Sequence, residues 1–472
     1  MLVKHSAVYL LGRVIPAIVS LATLTLYTRI LDASEYGSYA LIVAAAGVIN
    51  AFFFQWISLS LGRFLSSEAD GEALLSSALA SFIVVILVTG IASGFILWAV
   101  SDTTTRSLIV ITVTISWAQA WFDLNVKVLN IRLRAGHHSI ITSSKALVTF
   151  VCGILLFYCG LRFHGVLIGL FVGLLLPTFF LREHWKGTSY SIINPKEFVS
   201  ILRYGAPLTL SFGSVIILSV ADRFLLHTYT SSEAVGRYSA AFDLTQQSLG
   251  VLMVVINLAA FPLIVRELNE NGIAAAQKQL RDNANVLLTV SFPAAVGLIV
   301  LAGNISFVIL GEGFQQGAET IISFVALTAL LNGIRSYYFD YSFHLSKKLR
   351  GQVIAILSAA TFNILLNLFL IPVFGALGAA VASLIAASLG LFMSWYLGRK
   401  VFPLPGFSNN IYKIGAASVA MGVSLSFIAA ERGAAYLIYQ LLAGIVCYVF
   451  FALVFDIAEV RQRAKRCFAA VF

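Results

Sequence analysis

The chain has 472 residues, of which 59% are apolar and 11% charged, with a mean hydropathy of +0.92 and a formal charge of +10. A soluble domain of ordinary usage carries about twice that charged fraction, so a string of water-soluble domains is excluded. The positive charge is scattered between apolar runs rather than gathered on one polar segment. That argues against nucleic acid as a partner and for loops held at an anionic membrane surface.

The apolar runs recur at close to the length of about 20 residues that a helix needs to cross roughly 30 Å of hydrocarbon. The alternating ten-residue segments of a membrane β-barrel are not seen. The first run continues from Met1–His5 through Pro16 to Leu26 with no small-residue cleavage site, and is read as a retained first span. In chain order the predicted spans lie near 8–28, 38–60, 77–100, 108–130, 143–160, 165–182, 204–225, 240–263, 284–310, 321–345, 352–371, 377–397, 411–430 and 434–455. The fold class is thus an all-α membrane protein of about fourteen transmembrane helices. Its parts are 1–183 (spans one to six), 184–400 (a linker and spans seven to twelve) and 401–472 (spans thirteen and fourteen with a basic tail).

An even span count puts both termini on one side. With the N-terminus in the cytoplasm, most of the 31 Lys and Arg fall inside, including Arg132, Arg134, Lys347, Lys348, Arg350, Arg399, Lys400 and the tail Arg461–Arg466. Arg29, Arg106, Arg162, Arg223, Arg237 and Arg432 fall outside, so the positive-inside rule selects this orientation. Only the loop carrying Glu68, Asp70 and Glu72 is unusual, and acidic residues count little in that rule. The short connections leave no room for a soluble catalytic domain. There is no GxxxxGK[ST], HExxH or GxSxG motif, and Cys152, Cys159, Cys447 and Cys467 form no CxxC pair. No cofactor, metal or disulfide framework is expected, and the chain reads as a transporter rather than an enzyme.

Three matches in the same order point to a duplication of six helices. Ser34–Tyr39 and Ser232–Tyr238 both end as G-x-Y before an apolar helix. Ile154-Leu155-Leu156 precedes Gly165 as Ile364-Leu365-Leu366 precedes Gly375. Trp121-Phe122-Asp123 with Lys127 matches Tyr338-Phe339-Asp340 with His344. Equivalents separated by an even number of spans share an orientation, which is the arrangement of parallel-repeat transporters.

Ionisable groups at membrane depth ask for a reason, since each costs roughly 2.5–3.5 kcal/mol on insertion scales. Arg13, before Pro16, either snorkels to the surface or meets an anion in a cavity. Arg335 lies too deep in span ten to snorkel easily and is read as facing a cavity. Asp123 with Lys127, and Asp340 with His344, stand at i and i+4 on one helix face. They are either structural pairs or groups that change protonation during transport, His344 making the second the more pH-sensitive. Asp222, Arg223 and Asp243 are read as interfacial. The amides Asn50, Gln55, Gln119, Gln246, Gln247, Asn332, Asn363 and Asn367 are polar-cavity candidates that could bind sugar hydroxyls or tie helices together. Gly165-x3-Gly169-x3-Gly173 reads as helix packing.

The stretch Thr28-Arg29-Ile30-Leu31-Asp32-Ala33-Ser34-Glu35-Tyr36-Gly37-Ser38-Tyr39-Ala40 resembles the start of polysaccharide-biosynthesis transporters of the Wzx oligosaccharide flippase type. Gly236–Ala241 and Leu133-Arg134-Ala135-Gly136 are similar to that family too. Its superfamily also holds the multidrug and toxin extrusion (MATE) exporters and the lipid II flippases. The resemblance covers spans one to twelve and implies two six-helix lobes in a V around a cavity, with two helices appended. It implies transfer of an undecaprenyl-pyrophosphate-linked oligosaccharide, such as an O-antigen unit for lipopolysaccharide, across a bacterial inner membrane by alternating access. Arg13 and Arg335 would then contact the pyrophosphate, and Asp123, Lys127, Asp340 and His344 would serve ion coupling or gating. The expected partners are the lipid-linked oligosaccharide, membrane lipids and glycan polymerase machinery, with the protein a monomer. A cation-coupled multidrug efflux antiporter of the same fold is the alternative.

Overall fold

The computed structural model describes residues 2–65, 71–132, 134–185, 195–407, 410–428 and 431–457. Glu68, Asp70, Leu133, the basic tail Arg461–Arg466 and Cys467 lie outside them. The described residues hold no strand. This suits a chain in lipid, where a backbone without water must satisfy its own hydrogen bonds.

The helices are α1 (Leu2–Ile30), α2 (Ala33–Ile49), α3 (Gln55–Phe64), α4 (Gly71–Ala99), α5 (Thr103–Ile131), α6 (Ala135–Leu156), α7 (Arg162–Leu175), α8 (Pro195–Tyr229) and α9 (Ser232–Thr245). They continue as α10 (Val251–Val300), α11 (Ala302–Ile309), α12 (Glu312–Gln315), α13 (Ala318–Ile334), α14 (Tyr341–Leu345), α15 (Arg350–Gly398), α16 (Asn410–Ser426) and α17 (Ala434–Val454). Four π turns interrupt them, at Asn50–Phe54, Phe157–Leu161, Gln246–Gly250 and Arg335–Phe339. Among the described residues nine helical segments are long and apolar enough to cross a membrane. Three of these contain a positive-φ glycine, Gly160, Gly272 or Gly375, where the chain reverses and two helices run back to back.

Polar side chains inside the helices largely satisfy themselves. The hydroxyls of Thr23, Ser81, Thr89 and Thr245 each donate to the carbonyl four residues earlier. Asp102 caps α5 by accepting from the Thr105 N–H at 2.7 Å, and Ser231 caps α9 by accepting from the Ala234 N–H at 3.2 Å. Apolar side chains stand outward instead, with Trp98 85%, Phe427 81% and Phe180 80% exposed. In water such a surface would aggregate; against lipid it is the ordinary solvent-facing side.

The chain divides into two compact units, one of Met1–Thr23 with Glu35–Phe224 and the other of Leu24–Ser34 with Leu225–Phe472. The division falls inside α8, because the first part of α8 packs on α3 and α4. The Ser60 hydroxyl donates to the Ile201 carbonyl, Gly205 lies against the Trp56 carbonyl, and the Ser77 hydroxyl donates to Glu197. The C-terminal α16 and α17 belong to the second unit.

In the first unit α6 and α7 form a tight antiparallel pair on the glycine stripe. A Cβ added at Gly165, Gly169 or Gly173 would come within 2.6 Å of Leu156 C, 2.4 Å of Gly153 Cα or 2.0 Å of Thr149 Oγ1. The second unit repeats the device within α15, where Gly378, Ala382, Ala386 and Gly390 are all buried. A Cβ at Gly378 would meet the Leu370 carbonyl oxygen at 2.3 Å. The counterpart of Gly165 is therefore Gly378; Gly375 is the reversal itself, at φ 55°. Also in the second unit, the last turn of α1 seats on the loop before α12. The Gly311 N–H donates to Thr28 Oγ1 at 3.1 Å and Arg29 donates to the Val308 carbonyl at 2.7 Å. Buried Asn304 on α11 donates to Gln440 on α17 at 2.7 Å.

Candidate functional site

The polar groups at membrane depth fall into two sets, those whose hydrogen bonds are spent inside their own unit and those whose bonds are not. Asn50, which opens the π turn after α2, belongs to the first set and donates to Asp123 Oδ2 at 2.8 Å. The cation facing Asp123 is Lys145 on α6, whose Nζ also lies 4.7 Å from the centre of the Phe122 ring. The expected Asp123–Lys127 pair is not formed. Lys127 runs instead over Gly62, where an added Cβ would be 3.0 Å from its Cε. A span starting at 143, as hydropathy places it, would put Lys145 near its end. Since α6 begins at Ala135, Lys145 is about 15 Å along the helix at 1.5 Å per residue.

Asp340 is 1% exposed, and its nearest cation is Arg335, with Nε 4.0 Å from Oδ2. The expected pairing with His344 is indirect, for Gln352 lies 3.4 Å from Asp340 Oδ2 and 3.3 Å from His344 Nε2. In a regular helix residues five apart stand about 140° apart around the axis. Here the Asp340 N–H donates to the Arg335 carbonyl at 2.8 Å, the i to i+5 bond of a π turn, and the two side chains come onto one face. The Arg335 side chain is 15% exposed and passes Gly390, where an added Cβ would be 3.5 Å from Nη1. The contact with Asp340 is an ion pair rather than a hydrogen bond, for the buried Arg335 Nε has no hydrogen-bond partner among the described residues. Arg13, by contrast, is exposed on α1.

Asn363 and Asn367 bond to each other, although the buried Asn367 Oδ1 has no partner among the described residues. Asn367 donates to Asn363 Oδ1 at 3.0 Å and Asn363 to Ser383 Oγ at 3.4 Å, which ties the two arms of α15 together.

Gln246, Gln247, Asn332 and Ser336 are different. Each is half-buried and none forms a side-chain hydrogen bond among the described residues. In the second unit they line one cavity of about 390 Å³, which Tyr337 also lines. The cavity lies between two π turns, Gln246–Gly250 and Arg335–Phe339. Such turns are frequent at functional sites because they aim side chains that a regular helix would stagger. Gln55 and Gln119 in the first unit are likewise half-buried and, among the described residues, form no side-chain hydrogen bond. The offset that aligns Asp123 with Asp340 also places Gln119 at Ser336. Ser336 and Tyr337 were missed in the sequence reading, which carried no signal for the π turn that presents them.

The architecture is that of a polytopic α-helical membrane protein, with reversing helix pairs and an uncommitted polar cavity at membrane depth. A family profile described as Polysaccharide biosynthesis protein matches residues 2–267, more than half of the chain, and the chain belongs to this family. It is 26% identical over 236 residues to a "Probable lipid II flippase MurJ" of Thermotoga maritima, covering 47% of this chain and 46% of that one. It is 26% identical over 252 residues to a "Probable flippase AglR" of Haloferax volcanii, covering 52% of each. The chain thus spans about half the length of these two relatives. A "Putative O-antigen transporter" of Shigella flexneri is 20% identical over 418 residues, covering 84% of this chain and 98% of that one.

Among solved structures, a lipid II flippase MurJ in an inward closed conformation superposes with a TM-score of 0.81 at 19% identity, covering 96% of this chain and 99% of the other. An outward-facing multidrug resistance MATE transporter superposes with a TM-score of 0.58 at 12% identity, covering 84% of this chain and 94% of the other. These likenesses establish a shared fold.

Proposed function

We propose that this protein is a flippase that carries a polyprenyl-pyrophosphate-linked oligosaccharide from the inner to the outer leaflet of a bacterial inner membrane by alternating access. The observation that carries the reading is the neutral cavity lined by the uncommitted amides of Gln246, Gln247 and Asn332 and the Ser336 hydroxyl, set among apolar helices. A polar group in an apolar medium costs free energy unless it finds a partner, so these groups are suited to a ligand that brings hydroxyls. The family and the names of its relatives support the same reading. In this proposal each arm of the three glycine-reversed segments spans once, α8 and α16 add two more spans, and the total is fourteen with both termini inside. Substrate moves without covalent change, so the chain acts as a transporter and not as an enzyme.

Arg13, exposed on α1, is the proposed contact for the pyrophosphate. Asp123 with Lys145, and Asp340 with Arg335, are the proposed pairs for ion coupling, with Lys127 and His344 flanking them. The MATE fold keeps drug efflux as the competing reading, but the cavity is lined by no carboxylate that would hold a cationic drug. Deleting the gene in its host distinguishes them. Lipid-linked repeat units stranded on the inner leaflet are expected. Unchanged surface glycan with a fall in dye resistance would overturn the proposal.

A further inference from the structure

Resting on the flippase reading, the geometry points to the cavity between the two π turns as a sugar subsite that reads the glycan and leaves the pyrophosphate to other residues. Its volume of about 390 Å³ is at the small end of ligand pockets, which run roughly 300–1,000 Å³. Three amides and a serine hydroxyl line it, and no charged residue does. A phosphate group would ask for cations or converging backbone N–H groups. The nearest cation in sequence, Arg335, is turned away to Asp340 and Gly390. A lipid tail would ask for an apolar lining, and here the hydrogen-bonding capacity of Gln246, Gln247, Asn332 and Ser336 is unspent. Each amide offers two donors and a carbonyl acceptor, the complement of a sugar ring whose hydroxyls both donate and accept. Tyr337 on the same wall supplies a ring face to the sugar.

Two glycines shape the floor. At Gly250 an added Cβ would lie 2.6 Å from Gln246 Oε1, and at Gly333 it would lie 2.0 Å from Met253 Cε. Any side chain at 250 therefore displaces the Gln246 amide, and one at 333 displaces Met253, which also lines the cavity. Discrimination of a ligand by hydrogen bonds is sharp because a wrong ligand leaves the buried groups unpaired.

The test uses the full chain in lipid nanodiscs. Binding is measured for two probes, bare undecaprenyl pyrophosphate and the same lipid bearing the oligosaccharide extracted from the source membranes. Gln246→Ala and Asn332→Ala are each expected to weaken binding of the glycan-bearing lipid by about two- to tenfold. Affinity for the bare lipid should stay within the error of the wild type. Gly250→Ala, which moves the amide without deleting it, should act in the same direction. Should an alanine variant fold poorly, Ser336→Cys provides an independent readout. Its labelling by a hydrophilic maleimide should be slowed by the glycan-bearing lipid and not by the bare one. Equal losses for both probes, or no loss and no protection, would overturn the subsite. If the wild type binds neither probe, the flippase reading itself fails.

Discussion

Replacing Arg335 by Ala separates a structural ion pair from a ligand grip. Arg335 Nε and Asp340 Oδ2 are 4.0 Å apart, and their side chains are 15% and 2% exposed. At an effective dielectric of about 20 two unit charges at that distance attract by about 4 kcal/mol. Removing one partner of a buried pair costs roughly 3–5 kcal/mol because the other charge is left uncompensated. Against a typical total of about 5–15 kcal/mol, Arg335→Ala should lower the thermal unfolding midpoint markedly and reduce the yield of monodisperse protein. Adding Asp340→Asn removes the orphaned carboxylate and should recover most of the loss, which a double-mutant cycle measures directly. The assay is thermal unfolding in nanodiscs, run beside a transport measurement. An Arg335→Ala protein that melts like the wild type would refute the argument. Failure of Asp340→Asn to rescue stability would refute it equally.

Gly311→Ala should destabilise the seat of α1, since the added Cβ would lie 1.9 Å from the Thr28 carbonyl oxygen and the backbone must yield. Overpacking of this kind costs about 1–3 kcal/mol, and hydrogen exchange at residues 27–31 should accelerate; unchanged exchange would count against the contact. Gln440→Ala removes the acceptor for Asn304 and two donations to the Ile428 and Glu431 carbonyls. A loss of about 1–3 kcal/mol is expected, read as earlier proteolysis or melting of α17. Asp102 is held below the ordinary carboxylate value of 3.8 by the Thr105 hydroxyl and N–H. A depressed pKa gives stability that is present above that value and lost as pH falls through the lower, folded one. Fraying of the first turn of α5 should therefore set in only below pH 3.8, and Asp102→Asn, which still caps, should abolish the pH dependence.

Much of the fold was legible in the sequence because lipid imposes a length and a polarity on every span. The hydropathy runs and the packing stripe Gly165–Gly173 are local signals, and hydropathy does not depend on which helices are neighbours. The repeat was legible in part. The G-x-Y stretches open α2 and α9, and Asp123 and Asp340 each have a cation beside them, but from residues other than those expected. Lys145 acts on Asp123 from another helix, and i, i+4 spacing cannot report on that. Arg335 reaches Asp340 only because a π turn changes the phase of the helix.

The same limit governs the amides. Asn363, Asn367, Gln246 and Asn332 are chemically alike in the sequence, and all are polar residues in apolar helices. Tertiary packing alone decided that the first two bond to each other while the second two face a cavity with their hydrogen bonds unspent. Composition and hydropathy, being sums over the chain, were enough to determine a membrane-embedded helical protein. Which polar groups are spent and which remain for a ligand depends on distances between helices, and those distances exist only once the helices have packed.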